Sequence, residues 1–308
     1  MKKYLLIGGS GFIGSYIAAR LALDHQVVIA DIKENEHLKN QSNIEFLYLD
    51  FINTTDFSSC LSGVDEVIHL VSTILPSSGM EGITKQANDH IIPTLALLED
   101  MRRCGTKKIV FISSGGTVYG EKEVPLSEDR SLTDPICHYG ILKLLIEKYL
   151  YLYYIQYGLD YRVIRLSNPY GADAKTTRKQ GVIPIFIQKI LNKEELTIWG
   201  DGTIVRDYIY IEDAITGILK IAEYEGTEKL FNLGTSIGYT INEVLWLIKS
   251  ELNVPDYPVT YQSYRLCDVQ ENILDITRLK SALDWSPSIT LKEGIHLVAA
   301  QMKDSALV

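Results

Sequence analysis

The sequence predicts an α/β protein with a doubly wound parallel sheet and a smaller lobe in the C-terminal half. Short apolar runs rich in β-branched residues alternate with helical patterns through the first half of the chain, as in a parallel sheet covered on both faces. A glycine-rich segment directly follows the first apolar run and opens the first helical pattern. Repetition of this strand-helix unit favours a doubly wound sheet.

The predicted strands are short and apolar, which suits strands buried on both faces. They are Tyr4–Ile7, Val27–Ile29, Glu45–Tyr48, Glu66–Leu70, Ile109–Ile112 and Arg162–Leu166. Between the strands, apolar residues recur at helical spacing. The predicted helices include Phe12–Leu23, Ile91–Arg103 and Tyr139–Tyr157.

The pattern loosens after Asn168-Pro169-Tyr170-Gly171, where a loop rich in Lys, Arg and Thr spans 174–180 and a helix is predicted at Ile183–Leu191. We therefore expect a first domain at 1–168 and a C-terminal lobe at 169–308. Segments near 205–250 contain further strand and helix patterns, and we expect them to return to the first domain.

The formal net charge of −9 excludes a basic field that would attract nucleic acid or an anionic membrane. The apolar start of the chain stops at Gly8-Gly9, too early for the core of a signal peptide, and no run of about 18 apolar residues predicts a membrane span. The four cysteines form no C-x-x-C pair and the histidines no metal-binding pattern, so no metal is expected. Together these features predict a cytoplasmic location.

The segment Gly8-Gly9-Ser10-Gly11-Phe12-Ile13-Gly14 is typical of a Rossmann-type dinucleotide-binding turn. Its glycines permit a tight turn and close approach of the backbone to a pyrophosphate, beside the partial positive charge of a helix N-terminus. The alternative is a tight turn that binds no ligand. The residues of this turn predicted to bind the cofactor are Gly8, Gly11, Phe12, Ile13 and Gly14.

Asp31 ends the second predicted strand, 17 residues after Gly14. A carboxylate there accepts hydrogen bonds from an adenosine ribose and repels a 2′-phosphate, so Asp31 favours NAD over NADP. Lys33 is a basic neighbour that weakens this preference. Without the glycine turn, the default interpretation of Asp31 would be a solvated residue at a strand end.

With these motifs the sequence resembles the extended short-chain dehydrogenase/reductase family, in its UDP-glucose 4-epimerase-like branch. The resemblance covers nearly the whole chain. Leu49-Asp50-Phe51 is similar to the adenine-contacting segment of the family, and Val67-Ile68-His69-Leu70-Val71 to one of its strands. It implies that Asp50, Phe51 and Leu70 also contact NAD.

Tyr139-Gly140-Ile141-Leu142-Lys143 matches the catalytic Y-x-x-x-K of the family. Residues four apart lie on the same helix face, so both side chains can reach one substrate. The resemblance implies that Tyr139 is the catalytic acid-base and that Lys143 contacts the nicotinamide ribose. A nearby cation favours the phenolate, so we expect Lys143 to lower the pKa of Tyr139. Alone, such a pair is more often a surface feature than a catalytic one.

The segment 112–120, Ile-Ser-Ser-Gly-Gly-Thr-Val-Tyr-Gly, departs from the family pattern at one position. Gly115 occupies the place where epimerases carry the Ser or Thr partner of the catalytic tyrosine. Thr117 returns to the same strand face two residues later and is the favoured substitute, whereas Ser114 remains a candidate if Gly115-Gly116 forms a bulge. The absence of acidic residues here disfavours dehydratases and decarboxylases of the family.

The C-terminal half carries the segments that bind the nucleotide sugar in the family, including Arg165–Gly171 and Arg206–Tyr210. Arginine suits a diphosphate clamp because its planar fork makes paired hydrogen bonds, although a surface salt bridge is the more common role of a lone arginine. An asparagine at position 272, where some relatives carry a tyrosine, predicts space for an N-acetyl group. The resemblance implies that the substrate contacts are Asn168, Arg206, Arg265, Asp268 and Asn272.

The family resemblance therefore implies an NAD-dependent nucleotide-sugar epimerase. We expect C4 epimerisation of a UDP-hexose or UDP-N-acetylhexosamine through a transient 4-keto intermediate. The alternatives are a nucleotide-4-keto-sugar reductase and a non-catalytic NAD-binding protein in which Gly115 marks a degraded site. Neither nucleic acid nor membrane is an expected partner. Since members of the family often dimerise through paired helices, the resemblance also implies a homodimer, with the apolar, tyrosine-rich 139–157 helix as the candidate interface.

Overall fold

The computed structural model describes residues 1–76, 81–172, 181–264 and 268–305. Helices and strands alternate through the first half and are shorter in the second. The strands are β1 Lys3–Ile7, β2 Gln26–Asp31, β3 Ile44–Tyr48, β4 Glu66–His69, β5 Lys108–Ser114, β6 Asp160–Leu166, β7 Asn168–Tyr170, β8 Leu196–Trp199, β9 Val205–Tyr210, β10 Leu230–Leu233, β11 Gly238–Thr240, β12 Val259–Gln262 and β13 Glu271–Asn272. The helices are α1 Phe12–Leu21, α2 Ile83–Cys104, α3 His138–Tyr157, α4 Val182–Leu191, α5 Ile211–Glu223, α6 Ile241–Glu251, α7 Thr277–Leu283 and α8 Leu291–Ser305.

Seven strands form the main sheet in the order β10-β6-β5-β4-β1-β2-β3. Strand β1 pairs in parallel with both β2 and β4. The chain therefore winds outward in opposite directions from β1, which is the topological switch point where α/β sheets bind ligands at the carboxyl ends of their strands. The predicted doubly wound fold is confirmed.

All six predicted strands are present with shifts of one or two residues at their ends. The prediction for the second helix is wrong at its start, because α2 begins at Ile83 rather than Ile91. The first eight residues of α2 include Lys85, Gln86 and Asp89 and only two apolar side chains, Ile83 and Ala87, so their helical pattern is weaker than that of the predicted Ile91–Arg103 segment.

Two compact units divide the chain. Unit 1 comprises Met1–Val118, Cys137–Arg165 and Leu219–Phe231, and unit 2 comprises Tyr119–Ile136, Leu166–Ile218 and Asn232–Val308. The functional division at residue 168, which assigns a ligand to each half, stays a prediction.

Apolar strands form the core of unit 1. Leu5 and Ile7 of β1 and Phe111 of β5 are fully buried, and α3 packs Ile146 and Leu150 into the same cluster. Side chains on both faces of the sheet are therefore covered, as the continuous apolar runs predict.

Unit 2 contains a smaller sheet around β9. Strand β9 pairs antiparallel with β11 and parallel with β13 and β7. Strands β8 and β12 form a separate parallel pair. Within the described ranges, no helix has the length and apolar character needed to cross a membrane.

Candidate functional site

The turn between β1 and α1 requires glycine at two positions. Gly8 has a φ of +83°, a conformation that L-residues rarely adopt. A Cβ on Gly14 would lie 2.6 Å from the Cα of Gly9 and 2.7 Å from the carbonyl oxygen of Gly8. Gly11 is the N-cap of α1 and provides no side-chain hydrogen bond. No capping side chain therefore separates the N-terminus of α1 from an anion on the path of the turn.

Asp31, at the end of β2, accepts a hydrogen bond from the backbone of this turn. Its Oδ2 accepts a hydrogen bond from the backbone N–H of Ser10 at 3.0 Å, and its Oδ1 accepts one from Ile32 at 2.7 Å. Burial raises the pKa of the Asp31 carboxyl above its ordinary value, although the backbone hydrogen bonds oppose this rise. Each carboxylate oxygen has further lone pairs with which to accept the hydroxyls of a ribose.

The hydroxyl of Ser10 is a second feature that fits a bound group. Its Oγ is buried and has no hydrogen-bond partner among the residues that the structure describes. A buried hydroxyl in a glycine turn normally finds a partner, so a ligand oxygen suits this position. The residues of the turn therefore fit a dinucleotide pyrophosphate.

The segment predicted to contact adenine is only partly available to a ligand. The Phe51 ring lies in the core, with its centroid 5.7 Å from that of Phe57 and 4.9 Å from that of His69. Asp50 is partly exposed and accepts a hydrogen bond from Asn53. Leu70 is partly exposed directly after β4, and its N–H donates to the Ile7 carbonyl. Phe51 as a whole is only 4% exposed, so it offers little surface for a ligand contact.

Tyr139 and Lys143 lie one turn apart on α3, beside the carboxyl end of β5. The Lys143 Nζ donates to the carbonyl oxygen of Ile112 at 2.8 Å and lies 4.7 Å from the Phe111 ring centroid. Hydrogen bonding with the side chains of Ser114 and Ser72 favours the phenolate and lowers the pKa of Tyr139, against the larger effect of burial. The structure therefore brings the predicted pair together and adds Ser72, which no spacing in the sequence indicated.

The expected lowering of the Tyr139 pKa is wrong for the protein alone. Burial raises the pKa of Tyr139 to about 12, and the hydrogen bonds from the two serines only reduce that rise. Burial also lowers the pKa of Lys143 to about 8. The Lys143 Nζ lies 5.7 Å from the centroid of the Tyr139 ring and bonds to a backbone carbonyl, so desolvation dominates at the phenol.

The premise for preferring Thr117 over Ser114 is wrong, and the choice between the two hydroxyls stays a prediction. Strand β5 ends at Ser114, and the N–H groups of Thr117 and Val118 turn back to bond the Ser114 carbonyl at 3.4 and 3.2 Å. Alternation of strand faces therefore does not extend to Thr117. The Thr117 Oγ1 is buried without a hydrogen-bond partner in the described part of the chain, whereas hydrogen bonding with Ser114 lowers the pKa of Tyr139.

We expect Ser114→Ala to lower kcat by about tenfold or more, because the Tyr139 oxygen loses a hydrogen-bond partner. Thr117→Ala is the matched control, since it removes the other candidate hydroxyl from the same turn. Turnover of the two variants is compared with the nucleotide sugar that the wild type converts. A larger loss in Thr117→Ala than in Ser114→Ala would contradict this assignment.

The predicted substrate contacts of unit 2 cluster around β9. The Asn168 Nδ2 donates to the carbonyl oxygen of Asp207 at 2.8 Å, and Asn272 on β13 is buried opposite Arg206 in the sheet register. The Arg206 Nη2 lies 3.9 Å from the Asp268 Oδ1. Arg265 lies outside the described residues. The structure thus brings together four of the five predicted contacts.

Asp207 organises this cluster, and the sequence prediction did not include it. Its carboxylate is fully buried and accepts hydrogen bonds from the backbone N–H groups of Thr235, Ser236 and Leu274 and from the Thr235 hydroxyl. Burial raises its pKa, while these hydrogen bonds oppose the rise. Asp207 follows Arg206 directly, but its partners are distant in sequence and no local pattern reveals them.

A switch-point sheet, a glycine turn, an acidic strand end and a Tyr/Lys pair together define a dinucleotide-binding α/β protein of the short-chain dehydrogenase type. The chain belongs to the NAD dependent epimerase/dehydratase family, whose family model matches residues 4–234.

Curated relatives match over nearly the full chain. The chain is 35% identical to a putative UDP-glucose 4-epimerase of Methanocaldococcus jannaschii over 308 residues, covering 98% of both proteins. It is 33% identical to a dTDP-4-dehydro-6-deoxyglucose reductase of Escherichia coli, covering 94% of both.

Solved structures also resemble the chain over nearly its full length. A UDP-glucose 4-epimerase of Thermotoga maritima with UDP-glucose aligns with a TM-score of 0.89 at 32% identity, covering 99% of both chains. A UDP-glucuronic acid 4-epimerase of Bacillus cereus with UDP-glucuronic acid and NAD aligns with a TM-score of 0.90 at 26% identity, covering 98% of this chain and 99% of the other.

Proposed function

We propose that the protein is an NAD-dependent nucleotide-sugar 4-epimerase. The observation that carries this proposal is the placement of Tyr139 and Lys143 one turn apart on α3, at the carboxyl end of β5, where the Lys143 Nζ donates to the carbonyl oxygen of Ile112. Membership of the epimerase/dehydratase family and the named activities of its relatives support the same reaction.

The cofactor contacts that we propose lie in unit 1. The turn glycines and the N-terminus of α1 bind the pyrophosphate, Asp31 accepts the adenosine ribose hydroxyls, and Lys143 contacts the nicotinamide ribose. NAD supplies a hydride acceptor that returns the hydride within the same turnover, so no external reductant is consumed.

Proton transfer belongs to Tyr139. In its phenolate form the Tyr139 oxygen removes the proton from the sugar 4-hydroxyl, and the phenol so formed later returns that proton to the same sugar oxygen, while Ser114 orients the substrate hydroxyl or the phenol. The raised pKa of Tyr139 means that this oxygen is protonated near neutral pH when the protein is alone. The Lys143 cation therefore has to be positioned well enough to stabilise the phenolate as it forms.

We propose that unit 2 supplies the nucleotide-sugar contacts. Arg206 and Arg265 bind the diphosphate, Asn168 contacts a phosphate, and Asp268 accepts the nucleotide ribose hydroxyls. Asn272 is shorter than a tyrosine, which supports a site that accepts an N-acetyl group at carbon 2. The substrate class is a UDP-hexose or a UDP-N-acetylhexosamine.

The experiment that tests the proposed function is incubation of the purified protein with UDP-glucose, UDP-N-acetylglucosamine or UDP-glucuronate in the absence of reductant. The anomeric proton is followed by NMR, and the protein is then denatured to release and quantify NAD. We expect the 4-epimer of one of these sugars and no net change in the cofactor. Absence of conversion for all three sugars would overturn the substrate class.

The second candidate is a nucleotide-4-keto-sugar reductase, which the 33% identity to the E. coli reductase favours. A reductase uses the same tyrosine and lysine but releases oxidised cofactor after every turnover. Stoichiometric loss of NADH absorbance with a 4-keto sugar, and no epimerisation of UDP-hexoses, would identify it.

We also propose that the protein is a homodimer that forms through α2 and α3. Ile141, Leu145, Leu152 and Ile155 form an apolar stripe on one face of α3, and each is 37–55% exposed. Ile92 on α2, the helix that packs against α3, is 56% exposed. When a second copy of the chain covers this face, its apolar side chains are removed from water.

Replacing Ile155 with glutamate is expected to convert the dimer to a monomer, because the charge would be buried unpaired in the interface. The control is Ile237→Glu, since Ile237 in unit 2 has nearly the same exposure, 54% against 55%. Sedimentation velocity measures both variants. A monomeric wild type, or dissociation of both variants alike, would refute this interface.

We also propose a cytoplasmic location. The thiols of Cys60 and Cys104 are not in disulfides, which suits a reducing compartment.

A further inference from the structure

Three residues on successive turns of α3 face the last three residues of β5. Tyr139, Lys143 and Glu147 are spaced four apart and so lie on one helix face. The Lys143 Nζ donates to the carbonyl oxygen of Ile112, and the Ser113 hydroxyl donates to the Glu147 Oε1. The third of these, Glu147, lies one turn beyond the pair that the proposed reaction uses.

Glu147 also has a charged partner, Arg165 on β6. The Arg165 Nη2 donates to the Glu147 Oε2 at 2.7 Å and the Arg165 Nε donates to Oε1 at 3.2 Å. The side chains of Glu147 and Arg165 are only 7% and 4% exposed. A buried ion pair of this kind adds little net stability compared with apolar side chains of the same volume. Stability alone is therefore a weak explanation for it.

The Glu147 carboxylate acts electrostatically on the buried ammonium of Lys143. Burial destabilises the Lys143 cation, and the Glu147 charge opposes that effect. The other titratable or charged groups around Lys143 are Tyr139 on α3, Arg165 on β6, His69 on β4 and His90 on α2. Burial lowers the pKa of both histidines, that of His69 to about 3, so neither adds a charge near neutral pH.

We propose that Glu147 is a positioning residue for the proton transfer. Anchored by Arg165 and Ser113, it fixes α3 against β5 and keeps the Lys143 ammonium charged beside Tyr139. The catalytic role of Glu147 rests on the proposed function, whereas its effect on the charge of Lys143 does not. Arg165 both holds the carboxylate and offsets part of its charge.

Removing the anion and removing the cation of the Glu147–Arg165 pair should shift the pKa of Lys143 in opposite directions. Glu147→Gln keeps the size and hydrogen-bonding groups of the side chain but removes the anion, so the pKa of Lys143 should fall by roughly one pH unit. Arg165→Gln removes the cation while Ser113 and Lys143 still stabilise the carboxylate, so the pKa of Lys143 should rise. The double variant should titrate between the two.

The pKa of Lys143 is measured by NMR of the full-length protein labelled at lysine Cε, with Lys143→Met identifying the signal. No sugar is needed, so a failure of the proposed function and a failure of this inference are distinguishable. The expected wild-type titration is near pH 8. If Glu147→Gln fails to fold, Arg165→Gln and the double variant still test the sign.

Turnover provides the second readout. The cation is lost as pH rises through the pKa of Lys143, so the alkaline limb of the kcat/KM profile should move to lower pH in Glu147→Gln. At pH 8 we expect kcat to fall by about fivefold, the loss of charged Lys143 that this shift produces, with KM within about twofold. A Lys143 titration that is unmoved, or that moves in the same direction in both single variants, would overturn the proposal.

Discussion

Replacing Tyr139 with phenylalanine is expected to lower kcat by about 10³-fold, because general acid-base catalysis typically contributes between 10² and 10⁴. Phenylalanine retains the ring, so the packing of α3 against the core is kept while the proton carrier is lost. The measurement is the rate of 4-epimer formation by NMR with the sugar that the wild type converts.

The control for this variant is Tyr149→Phe on the same helix. Tyr149 packs against the core of unit 1, so Tyr149→Phe removes an equivalent hydroxyl outside the site. Released NAD, quantified after denaturation, shows whether each variant still holds its cofactor. Equal losses in the two variants, or full activity in Tyr139→Phe, would rule out Tyr139 as the proton carrier.

Asp207→Ala is expected to lower the free energy of unfolding by about 4 kcal/mol, since several buried donors lose their acceptor together. The donors are the N–H groups of Thr235, Ser236 and Leu274 and the hydroxyl of Thr235. Urea denaturation followed by circular dichroism measures the loss. Asp207→Asn keeps one acceptor oxygen and should lose about half as much.

Hydrogen exchange localises the effect. The amides of Thr235, Ser236 and Leu274 should exchange faster in Asp207→Ala, because they lose the carboxylate that protects them. The control is Asp256→Ala, an exposed carboxylate of the same unit that should change stability by less than about 0.5 kcal/mol. Similar losses at both positions would contradict the role assigned to Asp207.

Local signals accounted for the first half of the fold. The glycine turn, the strand-end Asp31 and the Tyr139/Lys143 spacing are patterns within a few residues, and the structure places each on the predicted element. Glu147 repeats the same four-residue spacing and was within reach of this reasoning. Its partner Arg165 was not, because 18 residues and a change of element separate the two.

The predictions that failed concern burial and strand ends. The choice of Thr117 assumed a strand beyond Ser114, but the chain turns there. The expected pKa of Tyr139 counted the Lys143 charge and omitted the cost of desolvation. Neither quantity is encoded in spacing, because both depend on which atoms surround the group after folding.

The sequence by itself determined the family, the doubly wound sheet and the Tyr139/Lys143 pair, since these follow from periodicity and short motifs. Only the tertiary structure decided that β5 ends at Ser114 before it reaches Thr117, that the Asp207 carboxylate holds two other segments of unit 2 and that Arg165 anchors Glu147. The physical reason is that hydrogen bonds and desolvation act between atoms close in space, and the chain brings such atoms together from positions far apart in sequence.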